Sequence, residues 1–321
     1  MMVENHYRFH GVGIVVATDD AAIAHAVHLR LATFTVASAE PAALRFEVSA
    51  EDPGGGHDTG HGRTIYDHAV ADVRYFDHRD EILVEHSGVT MWCRPGSGST
   101  IVHAPENANQ RAWTVSRPMF TIALLEMLKR RRFYSLHAAA AETAHGDVIL
   151  LAGESGSGKS TLALALARSK WPVLGDDTVF LVDDGEDLGV RSFPDEIDVS
   201  DTTVAMFPRL RPVLERPPAP ATGKRQFRLE EFYDSPTSLG GRPVALVFPT
   251  VTSAVRSELV PLDDIEAMVR LAPNVLLTEP TCCQAHLDAL GRLVRDVPTL
   301  SLATGSDLDE AVALLATLGR T

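Results

Sequence analysis

The chain has 321 residues, and 29 Lys and Arg against 43 Asp and Glu give it a formal net charge of −14. Hydrophobic residues make up 45% and charged residues 22%, ordinary globular proportions that exclude wholesale disorder and fibrous repeats, at a length for about two domains. An excess of carboxylates repels phosphate backbones at long range, so no nucleic-acid partner is expected.

Three cysteines, Cys93, Cys282 and Cys283, are too few for a disulfide framework. The N-terminus has no secretory pattern, and no apolar run reaches about 18 residues. The expectation is a cytoplasmic protein with no membrane association.

In chain order, residues 8–17 (RFHGVGIVVA) read as a strand, after which Asp19-Asp20 caps a helix to about Leu31. Short strands are expected at 44–49, 82–86, 88–94 and 100–104. The piece PGGGHDTGHG at 53–62 is a glycine-rich loop. His57 and His61 are four apart there, but no helix fixes them as metal ligands. From Trp113 to about Arg132 the pattern is helical, with Phe120, Leu124, Leu125 and Leu128 on one face and KRRR at the C-terminal end, where cations suit the helix dipole. Strands at 134–141, 148–152, 172–175, 179–182, 244–248 and 298–302 then combine with helices at 159–169, 263–271, 281–294 and 307–318. That alternation argues for an α/β sheet covered by helices. The adjacent Cys282-Cys283 suits neither a disulfide nor tetrahedral zinc. Pro208 to Gln226 reads as one long irregular loop, longer than compact domains carry without a function. The expected division is an N-terminal α+β domain over 1–112, docking a partner or substrate, and a catalytic domain over 113–321.

Residues 148–167 (VILLAGESGSGKSTLALALA) carry the strongest signal. Gly153, Gly158, Lys159 and Ser160 match G-x-x-x-x-G-K-[ST], between an apolar strand and an Ala/Leu helix, as a phosphate loop requires. The glycines let the backbone of Gly153, Glu154, Ser155, Gly156, Ser157 and Gly158 curl so that its amides face phosphate oxygens. The helix begins near Lys159 and adds the positive end of its dipole. Lys159 can reach the outer phosphates, and Ser160, followed by Thr161, can hold Mg²⁺.

Asp176 and Asp177 follow after one helix, a turn and a short strand. In a parallel sheet this return places both carboxylates beside the phosphates, where one can order Mg²⁺ and the other accept a hydroxyl proton. VFLVDD at 179–184 also ends an apolar run in acid, but DGEDLG after it is hairpin chemistry, so Asp183 and Asp184 read as turn residues. No N-K-x-D and no SGGQ segment is present, which leaves adenine nucleotide as the expected ligand.

The stretch LHAAAAETAHGDVILLAGESGSGKSTLALALARSKWPVLGDD resembles the C-terminal domain of bacterial HPr kinase/phosphorylase and its shorter serine-kinase relatives. More distantly it is similar to ATP-dependent phosphoenolpyruvate carboxykinase. The likeness is good over about 135–185, looser to 321 and absent over 1–110. It implies a P-loop-containing HPr-kinase-like (PEP-carboxykinase-like) α/β domain preceded by a smaller α+β domain. It also implies Asp176 as proton acceptor, Asp177 with Ser160 toward Mg²⁺, and His137 beside the transferring phosphate. GKRQF looks like the mobile basic loop of these relatives, with Lys224 and Arg225 at the phosphates; Arg209, Arg211 or Arg216 could take that part. Relatives assemble as homo-oligomers. Thr161 stands where the HPr enzymes carry Glu, and this departure resembles divergent members found beside peptide-modification enzymes.

The expected activity is therefore ATP- and Mg²⁺-dependent phosphoryl transfer to a Ser or Thr hydroxyl of a small protein or peptide. A small-metabolite kinase and a nucleotide-gated binding module with little or no transfer are the alternatives.

Overall fold

Two residues inside the expected first strand reverse the chain. His10 and Gly11 take left-handed φ of 45° and 92°, so β1 (Val3–Phe9) and β2 (Val12–Thr18) pair as an antiparallel hairpin instead of one strand. This is seen in a computed structural model of the chain, which describes residues 2–39, 41–51, 63–68, 71–76, 80–219, 222–236, 238–275 and 280–319. The glycine-rich piece with His57 and His61 lies outside the described residues. Contacts divide the chain into one unit of Met1–Arg131 with Leu277–Cys283 and another of Arg132–Leu276 with Gln284–Thr321. The architecture is mixed α/β, with several sheets and eight α-helices among the described residues.

In the first unit, Asp20 Oδ1 accepts the amides of Ala22 and Ile23 at 2.7 and 3.0 Å and starts α1 (Ala21–Leu31). The strands β3 (Leu44–Ser49), β4 (Arg63–His68), β5 (Ala71–Phe76), β6 (Glu81–His86), β7 (Val89–Arg94) and β8 (Ser99–His103) complete an eight-stranded sheet in the order β1-β2-β3-β8-β7-β6-β5-β4. The expected helix from Trp113 is α2 (Arg111–Thr114), a π-turn over Val115–Met119 and α3 (Phe120–Lys129). Pro118 lies in the π-turn, where its missing N–H removes a rung of the ladder. Phe120 packs on Phe46 of the sheet, centroids 4.7 Å apart. Cys282 and Cys283 are not in a disulfide, and Arg130 Nη1 donates to Cys282 Sγ at 2.8 Å.

The second unit is built on a six-stranded sheet. Its strands are β10 (Ala138–Glu142), β11 (Val148–Ala152), β12 (Val173–Gly175), β18 (Pro243–Val251), β19 (Glu258–Pro261) and β20 (Thr299–Thr304), ordered β12-β10-β11-β18-β20-β19. A second sheet runs β17-β14-β13-β9, made of β9 (Phe133–Leu136), β13 (Val179–Asp183), β14 (Leu188–Ser192) and β17 (Gly240–Gly241). A small ribbon pairs β15 (Ile197–Val199) with β16 (Arg225–Phe227). The helices are α4 (Lys159–Arg168), α5 (Asp201–Met206), α6 (Asp264–Leu271), α7 (Pro280–Asp296), which belongs to this unit from Gln284 on, and α8 (Leu308–Leu315).

The unbroken apolar run of β11 marks a strand covered on both faces. Ile149 and Leu151 pack with Leu162, Leu166 and Leu315 from α4 and α8. Leu150 packs on the other face with Leu271, Leu290 and Leu293 from α6 and α7. Complete burial of a Leu side chain contributes on the order of 2 kcal/mol, so this central strand is a rigid mount for whatever follows it.

Three expectations change here. The sheet is mixed: β11, β18 and β20 are parallel, but β10 runs antiparallel to both β11 and β12. The expected strand 134–141 breaks at His137, because β9 pairs with β13 while β10 joins the larger sheet. The stretch from Pro208 is not wholly irregular, since 208–215 winds as a 3₁₀ helix that buries Leu210 and Val213. By contrast, β13 and β14 form the hairpin read in DGEDLG, with Asp184 Oδ1 accepting the amide of Asp187 at 2.8 Å.

Candidate active site

The antiparallel placement of β10 has a direct consequence. The strand begins where β11 and β12 end, so His137, the loop after Ala152 and the residues after Gly175 share one edge of the sheet.

β11 delivers the chain into the loop, where Gly153, Gly156 and Gly158 hold φ of 151°, 86° and 103°. These left-handed values favour glycine. A Cβ on Gly153 would stand 3.0 Å from Ser157 Oγ, and one on Gly158 would stand 3.1 Å from Val251 Cγ2. The Ser157 amide closes the turn on Glu154 O at 3.2 Å, and Glu154, Ser155 and Gly156 are exposed at the crest. No side chain caps the start of α4, so its first-turn amides are available to an anion.

Lys159 is buried, and its Nζ donates to Gly153 O at 2.5 Å and Glu154 O at 3.1 Å. Burial lowers its pKa and nearby Lys224 lowers it further, against the charges of Asp177 and Asp176. Lys224 is thus within electrostatic reach of the loop lysine. Arg225 is not turned the same way: its Nε donates to Asp201 Oδ1 at 2.9 Å, and its Nη1 donates to Arg216 O. Arg216 pairs with Glu231. The structure therefore gathers residues 153–161, Asp176, Asp177, His137 and the charge of Lys224, while Arg225 and Arg216 are engaged elsewhere.

The two carboxylates differ sharply. Asp176 is 5% exposed, and its Oδ2 has no hydrogen-bond partner among the described residues. Burial, helped by the charge of Asp177 and by Asp198 and Asp195, pushes its carboxyl up to about 8, against a hydrogen bond from Ser160. Asp177 is exposed, with its Oδ1 3.1 Å from His137 Nδ1 and its Oδ2 accepting from Thr178 Oγ1 at 3.2 Å. Partial desolvation works to raise its pKa, but His137, Thr178 and Lys159 together outweigh that and keep it below the usual carboxylate range. One acid that holds its proton near neutrality beside one that stays ionised is a pattern common at catalytic sites.

Asp183 lies in other company. Arg292 Nη1 donates to its Oδ1 at 2.7 Å, and it accepts the Gly185 amide at 2.8 Å. Asp195 and Asp198, whose charges bear on Asp176, were missed in the sequence. The acidic run PDEID after the hairpin was the available signal, and Asp198 Oδ1 accepts from Gln226 Nε2 at 2.8 Å.

Among the described residues, no group of three or more His, Cys, Asp and Glu could hold a metal ion unaided. Ser160, Asp176 and Asp177 nevertheless suit Mg²⁺, which takes one or two carboxylates and draws its other ligands from phosphates and water. No described helix is long and apolar enough to cross a membrane.

No protein-family model and no curated protein matches the chain. A solved structure, that of the Hpr(Ser) kinase/phosphatase from Coxiella burnetii, is similar with a TM-score of 0.33 and 12% identity, covering 58% of this chain and 88% of that chain. A likeness of that strength decides neither the fold nor the activity of this protein.

Proposed function

We propose that the protein is an ATP- and Mg²⁺-dependent phosphotransferase of the HPr-kinase-like P-loop type, acting on a Ser or Thr hydroxyl of a small protein or peptide. One observation carries this reading: a left-handed glycine loop with a buried lysine shares a sheet edge with two carboxylates held in opposite protonation states. Loop amides and Lys159 would hold the nucleotide phosphates, with Lys224 adding positive charge. When bound, Mg²⁺ would neutralise phosphate charge, held on the protein side by Ser160 and Asp177.

Asp176, in the fraction that has released its own proton, would then accept the acceptor's hydroxyl proton. Its raised pKa and unpartnered oxygen suit a base that works near neutral pH. His137 would orient Asp177. The Ser160 contact to Asp176 favours a second assignment, in which Asp176 is the metal-side carboxylate and Asp177, steered by His137, takes the proton. Residues 1–112 would dock the acceptor, and homo-oligomers belong to the same reading.

The test incubates the protein with γ-labelled ATP, Mg²⁺ and a desalted lysate of its source cells, alongside Lys159→Ala, Asp176→Asn and Asp177→Asn. Acid-stable, base-labile label on a protein or peptide is expected, lost with Lys159→Ala together with nucleotide affinity. The variant of the true base should keep Mg²⁺–nucleotide affinity and lose transfer; the variant of the metal ligand should lose both. Label on a metabolite would make the acceptor a small molecule, and unchanged ATP would make the protein a nucleotide-gated module.

A further inference from the structure

Arg209 belongs to the PRLRP stretch that the sequence offers as a source of phosphate-loop cations, yet it lines a cavity at the other end of α4. The cavity, of about 340 Å³, lies between the last turn of α4, the start of the 208–215 turn and the Tyr233-Asp234 segment. Phe207 and Tyr233 are buried and form its floor. Arg168, Lys170 and Arg209 are exposed around it, and Asp234 is its lone carboxylate.

The three cations line the same cavity. The Arg168 guanidinium lies 5.6 Å from the Phe207 ring centroid and pairs outward with Asp309. Burial raises the Tyr233 phenol, while the charges of Arg168 and Arg209, which line the same cavity, both work against that rise. Lys170 occupies the left-handed position after α4, φ 66°, where glycine would be free of strain. Neither Lys170 nor Arg209 is in an ion pair with a described residue. Arg168 already has Asp309, so Lys170 and Arg209 are the cations left for an anion, and guanidinium forks match the geometry of oxyanions.

We propose that this cavity is a second anion site that takes a compact oxyanion of the phosphate type, inorganic phosphate or a phosphate monoester. Its volume is at the lower end of the range for small-ligand cavities. The length of α4, roughly 15 Å, separates it from the phosphate loop, so the site does not depend on the nucleotide reading. Asp234 lines the same cavity, and its negative charge opposes an anion there, which gives the proposal a sign that can be tested.

Isothermal titration of inorganic phosphate and of phenyl phosphate at fixed ionic strength tests it, on wild type, Arg209→Ala/Lys170→Ala, Asp234→Asn and Lys159→Ala. The double variant should weaken binding by about tenfold or more, and Asp234→Asn should tighten it several-fold. Lys159→Ala should retain this binding event. Both cations are exposed, so the double variant should melt like wild type, and Asp234→Asn supplies an independent check. Equal titrations in wild type and the double variant overturn the proposal, as does loss of all phosphate binding in Lys159→Ala alone.

Discussion

His137 Nδ1 stands 3.1 Å from Asp177 Oδ1, joining the break between β9 and β10 to the turn that follows β12. Both partners are open to water, so the pair adds little stability. Its effect is on titration. Asp177 is depressed in the folded state, so its small contribution is present above the ordinary carboxylate range and is lost as pH falls through the folded pKa. In His137→Ala the Asp177 carboxyl should move up toward its ordinary value, as read by ¹³C carboxyl NMR, and transfer should fall. An Asp177 titration unchanged by the substitution would mean that the pair does not form in solution.

Asp176 should make the protein less stable as pH rises. Its folded pKa of about 8 exceeds the unfolded value of 3.8, so the native state keeps a proton that the unfolded chain releases. Stability from this group is greatest below the unfolded pKa, declines between about pH 4 and pH 8, and is flat above. Asp176→Asn removes the titration. At pH 8 the variant should be the more stable protein by on the order of a few kcal/mol, at roughly 2–4 °C per kcal/mol in melting temperature. At pH 4 the two should nearly coincide. A gap of equal size at both pH values would show that Asp176 is not buried in this way.

Gly158 is held at a left-handed φ against a packed side chain. At φ 103° an alanine is strained, and its Cβ would press to 3.1 Å on Val251 Cγ2. Gly158→Ala should cost about 1–2 kcal/mol in urea unfolding and weaken nucleotide binding in equilibrium titrations. Unchanged affinity would argue that the loop geometry is not used.

Asp183 provides the contrast. It ends an apolar strand as a metal-binding Asp of a phosphate-loop enzyme would, but its carboxylate is taken by Arg292 and by the Gly185 amide. Asp183→Asn should leave nucleotide binding at the wild-type level and lower stability by about 1 kcal/mol in thermal melts. Loss of Mg²⁺–nucleotide affinity in this variant would move the acidic site away from Asp176 and Asp177.

The readable parts of the chain are those whose cause lies within a few residues. The Asp20 cap, the glycine loop into α4 and the Asp184-Gly185 hairpin all depend on local backbone preferences. The His10-Gly11 turn was equally local, and its His-Gly pair was the overlooked sign of a reversal. The strands at 63–68 and 71–76 went unread because their polar, mixed sequence carries no clear alternation.

By itself the sequence determined that residues 153–158 turn on glycines into α4 and that an acidic pair follows one helix and one strand later. It could not decide strand order. Only the tertiary structure inserted β10 antiparallel between β11 and β12, and that insertion brings His137 to Asp177. The protonation difference between Asp176 and Asp177 is also a tertiary property, because adjacent residues share composition but not burial. The same is true of the PRLRP arginines: spacing makes them available, but long-range packing of the 3₁₀ turn sends Arg209 to the far end of α4. Strand pairing and burial arise from contacts between residues distant in sequence, and no local period encodes them.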